Sequence, residues 1–373
     1  MGRVVPWLAA VVAVASLVLA AVTFRPAPDV DDLSGFGFAD AWVRGEVAAV
    51  EQVPCPGDGD CVEVVFEVSE GADAGTFVTQ TFPTTIGEFE RGDAVYLSYD
   101  AEAEAEFAYG YADRVRTGRL LLWGAVFAAA VVALGRWKGI AALIGVGVSL
   151  AVILGYVLPT LLTGGSPILV AIAAASLIAA ITFVLTHGTT PFAAVAYLGT
   201  VAALVLTAVL SEIAFATAWI TGLATEEATY LTLLPGVEVS GLILAGAVLG
   251  ALGALDDVTI TQTSTVWELR AANPSLTAAD LRASGLRVGR DHIASTVNTL
   301  VLAYAGAAMP VLVLFVLSNL GAAQVVSSEV IAVEILRTVV GSIGLIAAVP
   351  MTTWLAAAVA KDRAPEPGTG HAH

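Results

Sequence analysis

Pro167-Ile-Leu-Val-Ala-Ile-Ala-Ala-Ala-Ser-Leu-Ile-Ala-Ala-Ile-Thr-Phe-Val-Leu-Thr-His187 runs for 21 residues without a carboxylate, lysine or arginine. At 1.5 Å per residue, a helix of that length spans about 31 Å, the thickness of a bilayer's hydrocarbon. Windows of the same kind lie near 4–24, 118–135, 139–162, 192–219, 238–256, 293–318 and 330–359, so eight transmembrane helices are expected. Composition points the same way. The chain is 57% hydrophobic and 13% charged, about half the charge of a soluble domain. That is too little to cover a water-facing surface, which excludes soluble enzymes and binding modules. The first window, from Val4 to Phe24, is read as a retained anchor within residues 1–28, because it is long and lacks a convincing cleavage site.

Charge is unevenly placed. The net charge is -17, and residues 29–113 alone hold 20 acids against Arg44 and Arg91. One acidic polar domain is therefore attached to a near-neutral membrane bundle at 114–361, followed by a tail at 362–373. Nucleic acid is excluded as a partner, since it requires clustered Lys and Arg. Four segments of the acidic domain, 42–50, 61–68, 75–82 and 94–99, mix β-branched and aromatic residues with period-two alternation. The expected fold is a small all-β barrel of the OB or SH3-like kind. Cys55 and Cys61 bracket a Pro-Gly-Asp-Gly-Asp turn, and in an oxidising compartment they are expected to form a disulfide.

Lysine and arginine set the orientation. Arg3, then Arg136 and Lys138, then Arg270, Arg282, Arg287 and Arg290, then Lys361 and Arg363 fall on one side when the N-terminus is inside. Arg114, Arg116 and Arg119 break the pattern, but they follow a long translocated domain where the rule is weak. The expected location is the bacterial cytoplasmic membrane, with both termini cytoplasmic and the acidic domain outside.

Polar groups at membrane depth are few. Glu212 is expected at the outer interface, Glu334 is expected to pair with Arg337 three residues on, and no carboxylate is expected at mid-membrane. The inner face is richer. Span 6 ends in Asp256-Asp257, the wrong sign for a helix C-terminus. If the helix runs on, Asp257, Thr261, Ser264 and Glu268 share a face. In span 7, Asp291, Ser295, Asn298 and Leu302 share another, with His292, Thr296 and Thr299 beside it. One reading is a cytoplasm-facing polar pocket in which Asp256, Asp257 and Asp291 hold a cation. Oxygen ligands without cysteine favour Mg²⁺, Ca²⁺ or Mn²⁺ over Zn²⁺. A plainer reading has Asp291 capping span 7, the aspartates pairing with Arg287 and Arg290, and the hydroxyls bonding back to helix carbonyls. The loop 257–291 is expected to fold at the inner surface. Within it, Thr277 and Asp280 form a capping-box signal for a short helix ended by Gly285. Pro159, Pro310 and Pro350 are expected to kink their helices, and Gly145, Gly147, Gly246, Gly250 and Gly253 to serve close helix packing.

Two stretches carry a family resemblance. Gly-Ala-Leu-Asp-Asp-Val-Thr-Ile-Thr-Gln-Thr-Ser-Thr-Val-Trp-Glu-Leu at 253–269 and Gly-Arg-Asp-His-Ile-Ala-Ser-Thr-Val-Asn-Thr-Leu-Val-Leu-Ala-Tyr at 289–304 resemble the YibE/F-like family of bacterial membrane proteins. The resemblance implies a permease of unassigned substrate and transfers no catalytic or binding residue. The expected function is a permease or secondary transporter for a small solute or ion, working in the lipid bilayer and open to homo-oligomerisation. The alternative is a non-transporting scaffold, sensor or assembly factor whose outer domain meets a protein partner. An enzyme is not expected. The chain has no Walker loop or hydrolase motif, and a lipid-phosphate enzyme with Mg²⁺ on Asp256 and Asp257 lacks further acids at 259–261.

Overall fold

The structure, a computed structural model, describes residues 4–26, 41–55, 59–71, 73–86, 88–101, 103–104, 107–232, 234, 236–318 and 320–360. They divide into two compact units, Asp29–Val131 and Met1–Pro28 with Val132–His373.

The first unit is a β half-barrel of five antiparallel strands: β1 (Ala41–Pro54), β2 (Asp60–Val68), β3 (Phe77–Pro83), β4 (Ala94–Tyr99) and β5 (Tyr109–Arg114), in the order β3-β2-β1-β4-β5. Alternation does the sorting. Val64, Phe66 and Val68 point inward from β2 and meet Val47, Val95 and Leu97, all with no exposed surface. Phe82, Phe89 and Tyr111 complete a ring cluster around Phe66, with centroids 5.3–6.2 Å apart. The end strands are tied by one side chain: Gln80 of β3 accepts from the Tyr111 amide at 2.8 Å and donates to the Tyr109 carbonyl at 3.4 Å. β1 and β2 form the expected hairpin, with Val53 opposite Cys61, and Cys55 is disulfide-bonded to Cys61 across a Cα separation of 5.0 Å.

β5 was not among the four segments read from the sequence, because Tyr-Gly-Tyr-Ala-Asp-Arg is short and half polar. It also explains two of the out-of-place arginines. Arg114 ends β5, lies over the Phe89 ring at 5.0 Å and approaches Asp93 at 3.6 Å, while Arg116 bonds Asp113 at 2.6 Å. These two belong to the β fold.

The second unit is helical. Its elements are α1 (Val4–Thr23), α2 (Thr117–Val152, whose first part lies in the β unit), a π-helical turn (Ile153–Val157) leading into α3 (Leu158–Leu162), α4 (Pro167–His187), α5 (Pro191–Thr217), α6 (Glu226–Leu231), α7 (Val239–Ala272), α8 (Ala278–Ala307), α9 (Met309–Leu317), α10 (Ala322–Ser327) and α11 (Glu329–Ala360). The core lies where α4, α5, α7 and α11 pack together, and alanines dominate it: Ala173, Ala174, Ala175, Ala179, Ala196, Ala203, Ala348 and Ala356 have no exposed surface. Small side chains let the helix axes approach closely. α1 packs on α4 and α5, and Thr23 shares a 2.6 Å hydrogen bond with the Tyr156 hydroxyl.

Breaks fall where the backbone demands them. Arg136 has φ 50°, ψ -128° inside α2. Pro159 follows the π-helical turn, as proline cannot donate to the preceding turn. Pro310 opens α9, which is bent 64° from α8. Pro350 sits inside α11, which runs unbroken from Glu329 to Ala360.

The sequence reading of 257–291 as one folded loop is corrected. α7 continues to Ala272, α8 starts at Ala278, and the turn between them is five residues. The capping box is present, with Thr277 Oγ1 accepting from the Asp280 amide at 3.2 Å and Asp280 accepting from the Thr277 amide at 2.9 Å. Yet the helix does not stop at Gly285. A Cβ there would lie 2.8 Å from Thr353 Cγ2, so this glycine serves a helix crossing rather than a C-cap.

Candidate functional site

The polar centre of the helical unit is built from α5, α7, α8 and α11. On α7, the string Thr259-Ile-Thr-Gln-Thr-Ser-Thr265 lowers hydropathy without ending the helix. The hydroxyls of Thr263 and Thr265 bond back to the carbonyls four residues earlier at 2.7 and 2.8 Å. Asp256 therefore lies well inside a helix that runs about 24 Å beyond it. Asp256 as a residue is half-buried, but its Oδ1 is enclosed and has no hydrogen-bond partner among the described residues.

Around it the polar groups come from neighbouring helices. Thr200 of α5 lies beside the Asp256 carboxylate and shares a 2.7 Å hydrogen bond with Thr259, which also donates to the Asp256 backbone carbonyl at 3.1 Å. Two turns along α7, Gln262 accepts from Thr353 of α11 at 2.9 Å, while its Nε2 stays enclosed without a partner. Gly289 of α8 makes room for it, since a Cβ there would stand 2.9 Å from that nitrogen. Thr352 packs against Gly199 of α5, and its enclosed hydroxyl is also unpartnered among the described residues. Thr200, Thr259, Gln262, Thr263, Thr352 and Thr353 have no exposed surface. Thr200, Thr207 and Ser211 continue one buried face of α5 at i, i+7 and i+11, and Thr207 packs on Gly344 of α11.

The residues expected from the sequence are only partly brought together. Asp257 turns outward and meets His292 of α8, Oδ2 to Nε2 at 3.5 Å, with the aspartate side chain 67% exposed. Thr261 and Ser264 follow it as a half-buried stripe. Asp291, Ser295, Asn298 and Thr299 lie on the exposed face of α8, and Thr299 is occupied with the Ser295 carbonyl at 3.0 Å. So the two stripes touch at one point. The grouping of Asp256, Asp257 and Asp291 around one cation is not found. Among the described residues no group of three His, Cys, Asp or Glu is placed to hold a metal. The reason is helical geometry: neighbours point about 100° apart, so Asp256 faces in when Asp257 faces out. The plainer reading holds only for the hydroxyls, which bond back to helix carbonyls, since Asp291 sits in mid-helix and Arg287 bonds Ser284.

Thr200, Gln262, Thr352 and Thr353 were missed. A usable signal existed in α5, where Thr200, Thr207 and Ser211 share one face of an apolar helix. The glycines of α7 also read differently in place: Gly246 lies beside the Arg337 guanidinium and Gly250 beside the Tyr304 hydroxyl. Arg337 and Glu334 pair at 2.8 Å, as their spacing implied.

Among the described residues, six helices are long and apolar enough to cross a membrane, or seven if the bent α8–α9 pair is one span. Such helices, carrying apolar side chains outside and hydroxyls inside, point to a membrane-embedded protein. Residues 123–362 match the YibE/F-like protein family, and the chain belongs to it. No curated protein and no solved structure matches it.

Proposed function

We propose that the chain is a permease of the bacterial cytoplasmic membrane, with the α5–α7–α11 polar centre as its ion site. Arg136 divides the 46-residue apolar stretch Thr117–Leu162, whose full helical length of about 69 Å is twice the hydrocarbon thickness. Counting its halves separately and α8–α9 as one gives eight crossings. Both termini then lie on one side, the cytoplasmic side by the lysine and arginine distribution.

The observation that carries the reading is the enclosed, unpartnered Oδ1 of Asp256 beside Thr200 and Thr259. A carboxylate in such surroundings keeps its charge only beside a cation, or gives it up to a proton. One carboxylate among hydroxyls suits a proton or monovalent cation better than Mg²⁺, Ca²⁺ or Mn²⁺, which gather several oxygen ligands. Binding and release at Asp256 would couple cation movement to rearrangement of α5, α7 and α11, with the solute following the same polar faces.

Proteoliposomes loaded with pH-, Na⁺- and K⁺-sensitive dyes provide the test. Wild-type protein is expected to move one of these cations, Asp256→Asn to lose the flux, and Asp257→Asn to keep most of it. Unaltered flux in Asp256→Asn would remove Asp256 from the mechanism. Absence of flux in folded wild-type protein for all three cations would remove the cation-coupled reading.

A further inference from the structure

The β half-barrel holds a groove unrelated to the helical polar centre. Its volume is about 570 Å³, within the ~300–1,000 Å³ of small-molecule sites. It opens beside the start of β3 and the β4–β5 connection, and its chemistry comes from Asp73, Phe77, Thr79, Tyr99, Asp100 and Tyr109. The Tyr99 and Tyr109 rings lie 5.0 Å apart, tilted by 40°. Tyr109 donates to Asp73 Oδ2 at 2.7 Å, which fixes the ring against the carboxylate. Phe77 lines the same groove with 60% of its surface exposed.

Aromatic faces carry negative quadrupole charge, and carboxylates beside them add full charge. Burial and the Asp73 hydrogen bond push the Tyr109 hydroxyl up to about 12, so that ring stays neutral. The surrounding domain is strongly acidic, with 20 acids against two bases across 29–113. Such a field concentrates cations and repels anions. An inorganic ion gains little from aromatic walls, whereas an ammonium on a hydrocarbon chain uses walls and charge together.

We infer that this groove binds an alkylammonium group, with the aliphatic chain against Phe77, Tyr99 and Tyr109 and the ammonium beside Asp73 and Asp100. Two sources supply that chemistry, a free polyamine and the lysine side chain of an extracytoplasmic protein. Both enter as an extended cation, so one groove serves either.

The test uses the full chain in nanodiscs, titrated by calorimetry with spermidine and separately with trilysine, each at fixed ionic strength. Saturable binding is expected for at least one of them. Trilysine alone would assign a protein partner and spermidine alone a polyamine. Asp73→Asn keeps the shape of the side chain, and Phe77→Ala removes an exposed wall. Each is expected to weaken binding about 3- to 30-fold. Glu51→Gln, on an exposed part of β1 outside the groove, should leave it unchanged. Three results would overturn the inference: no saturable binding of either probe, equal competition by MgCl₂ at the same ionic strength, or an equal loss in Glu51→Gln. Circular dichroism of each variant confirms that the fold is intact.

Discussion

The β half-barrel keeps its polar groups outside and an apolar core inside, while the helical unit buries neutral polar side chains among its apolar ones. Val47, Val64, Phe66, Val68, Val95 and Leu97 fill the first with apolar atoms, and its carboxylates stand in solvent. In the second, Leu134, Trp137, Leu154, Val209, Ile346 and Trp354 face outward. Every buried polar residue among those described lies in the helical unit, from Ser16 to Thr353. The contrast is the one that two different solvents produce. In water the hydrophobic effect expels polar groups from the core. In hydrocarbon it offers no sorting force between helices, so packing and interhelical hydrogen bonds decide, and small or hydroxylated side chains move inside.

The largest expected effect tests the aqueous half. Phe66→Ala removes the ring on which Phe82, Phe89 and Tyr111 meet, at a cost of about 3–5 kcal/mol. Limited proteolysis should then cut within the β unit while the helical far-ultraviolet signal persists. Simultaneous loss of both would break the comparison, because it would make the units one cooperative body.

Overfilling the bundle comes next. Gly199→Leu drives a side chain into Thr352 and should cost about 1–3 kcal/mol. Gly124→Leu meets nothing within 4 Å and should cost almost nothing in a detergent melt. Equal melting points would show that α5 and α11 are not in close contact. Replacing Cys55 and Cys61 together by serine removes a short loop constraint worth about 2 kcal/mol. The readout is the urea midpoint of tryptophan fluorescence from Trp42, and an unmoved midpoint would leave the bridge no part in stability. The smallest effect concerns charge on the β surface. Glu51 and Glu63 face each other across β1 and β2, so Glu63→Lys should stabilise the β unit by about 0.2–1 kcal/mol. That gain should shrink in high salt, and a gain indifferent to salt would point away from electrostatics.

Legibility differed between the two regions for related reasons. Hydropathy windows located the apolar helices, yet they placed the end of α7 at Asp256, sixteen residues early. A window counts transfer free energy, whereas Thr259, Thr263 and Thr265 satisfy themselves on helix carbonyls and leave the backbone helical. The same cut ended a short helix at Gly285, where α8 runs on to Ala307. Alternation found four strands, but β5 is held by partners distant in sequence, above all Gln80 of β3. At the site, Asp256 was singled out by the sequence, but its neighbour Thr200 was not, because it lies 56 residues away.

By itself the sequence determined the quantities that depend on composition and short-range order. These are the apolar helices, the acidic β segment, the capping box at Thr277 and the Glu334–Arg337 pair, each set by residues within a few turns of one another. Only the tertiary structure decided which side of each helix faces inward. Asp256 and Asp257 are adjacent in sequence and chemically identical, yet one is turned toward Thr200 and the other toward His292. Helix rotation is fixed by packing on α5, α8 and α11, and that depends on the fit of side chains far apart along the chain.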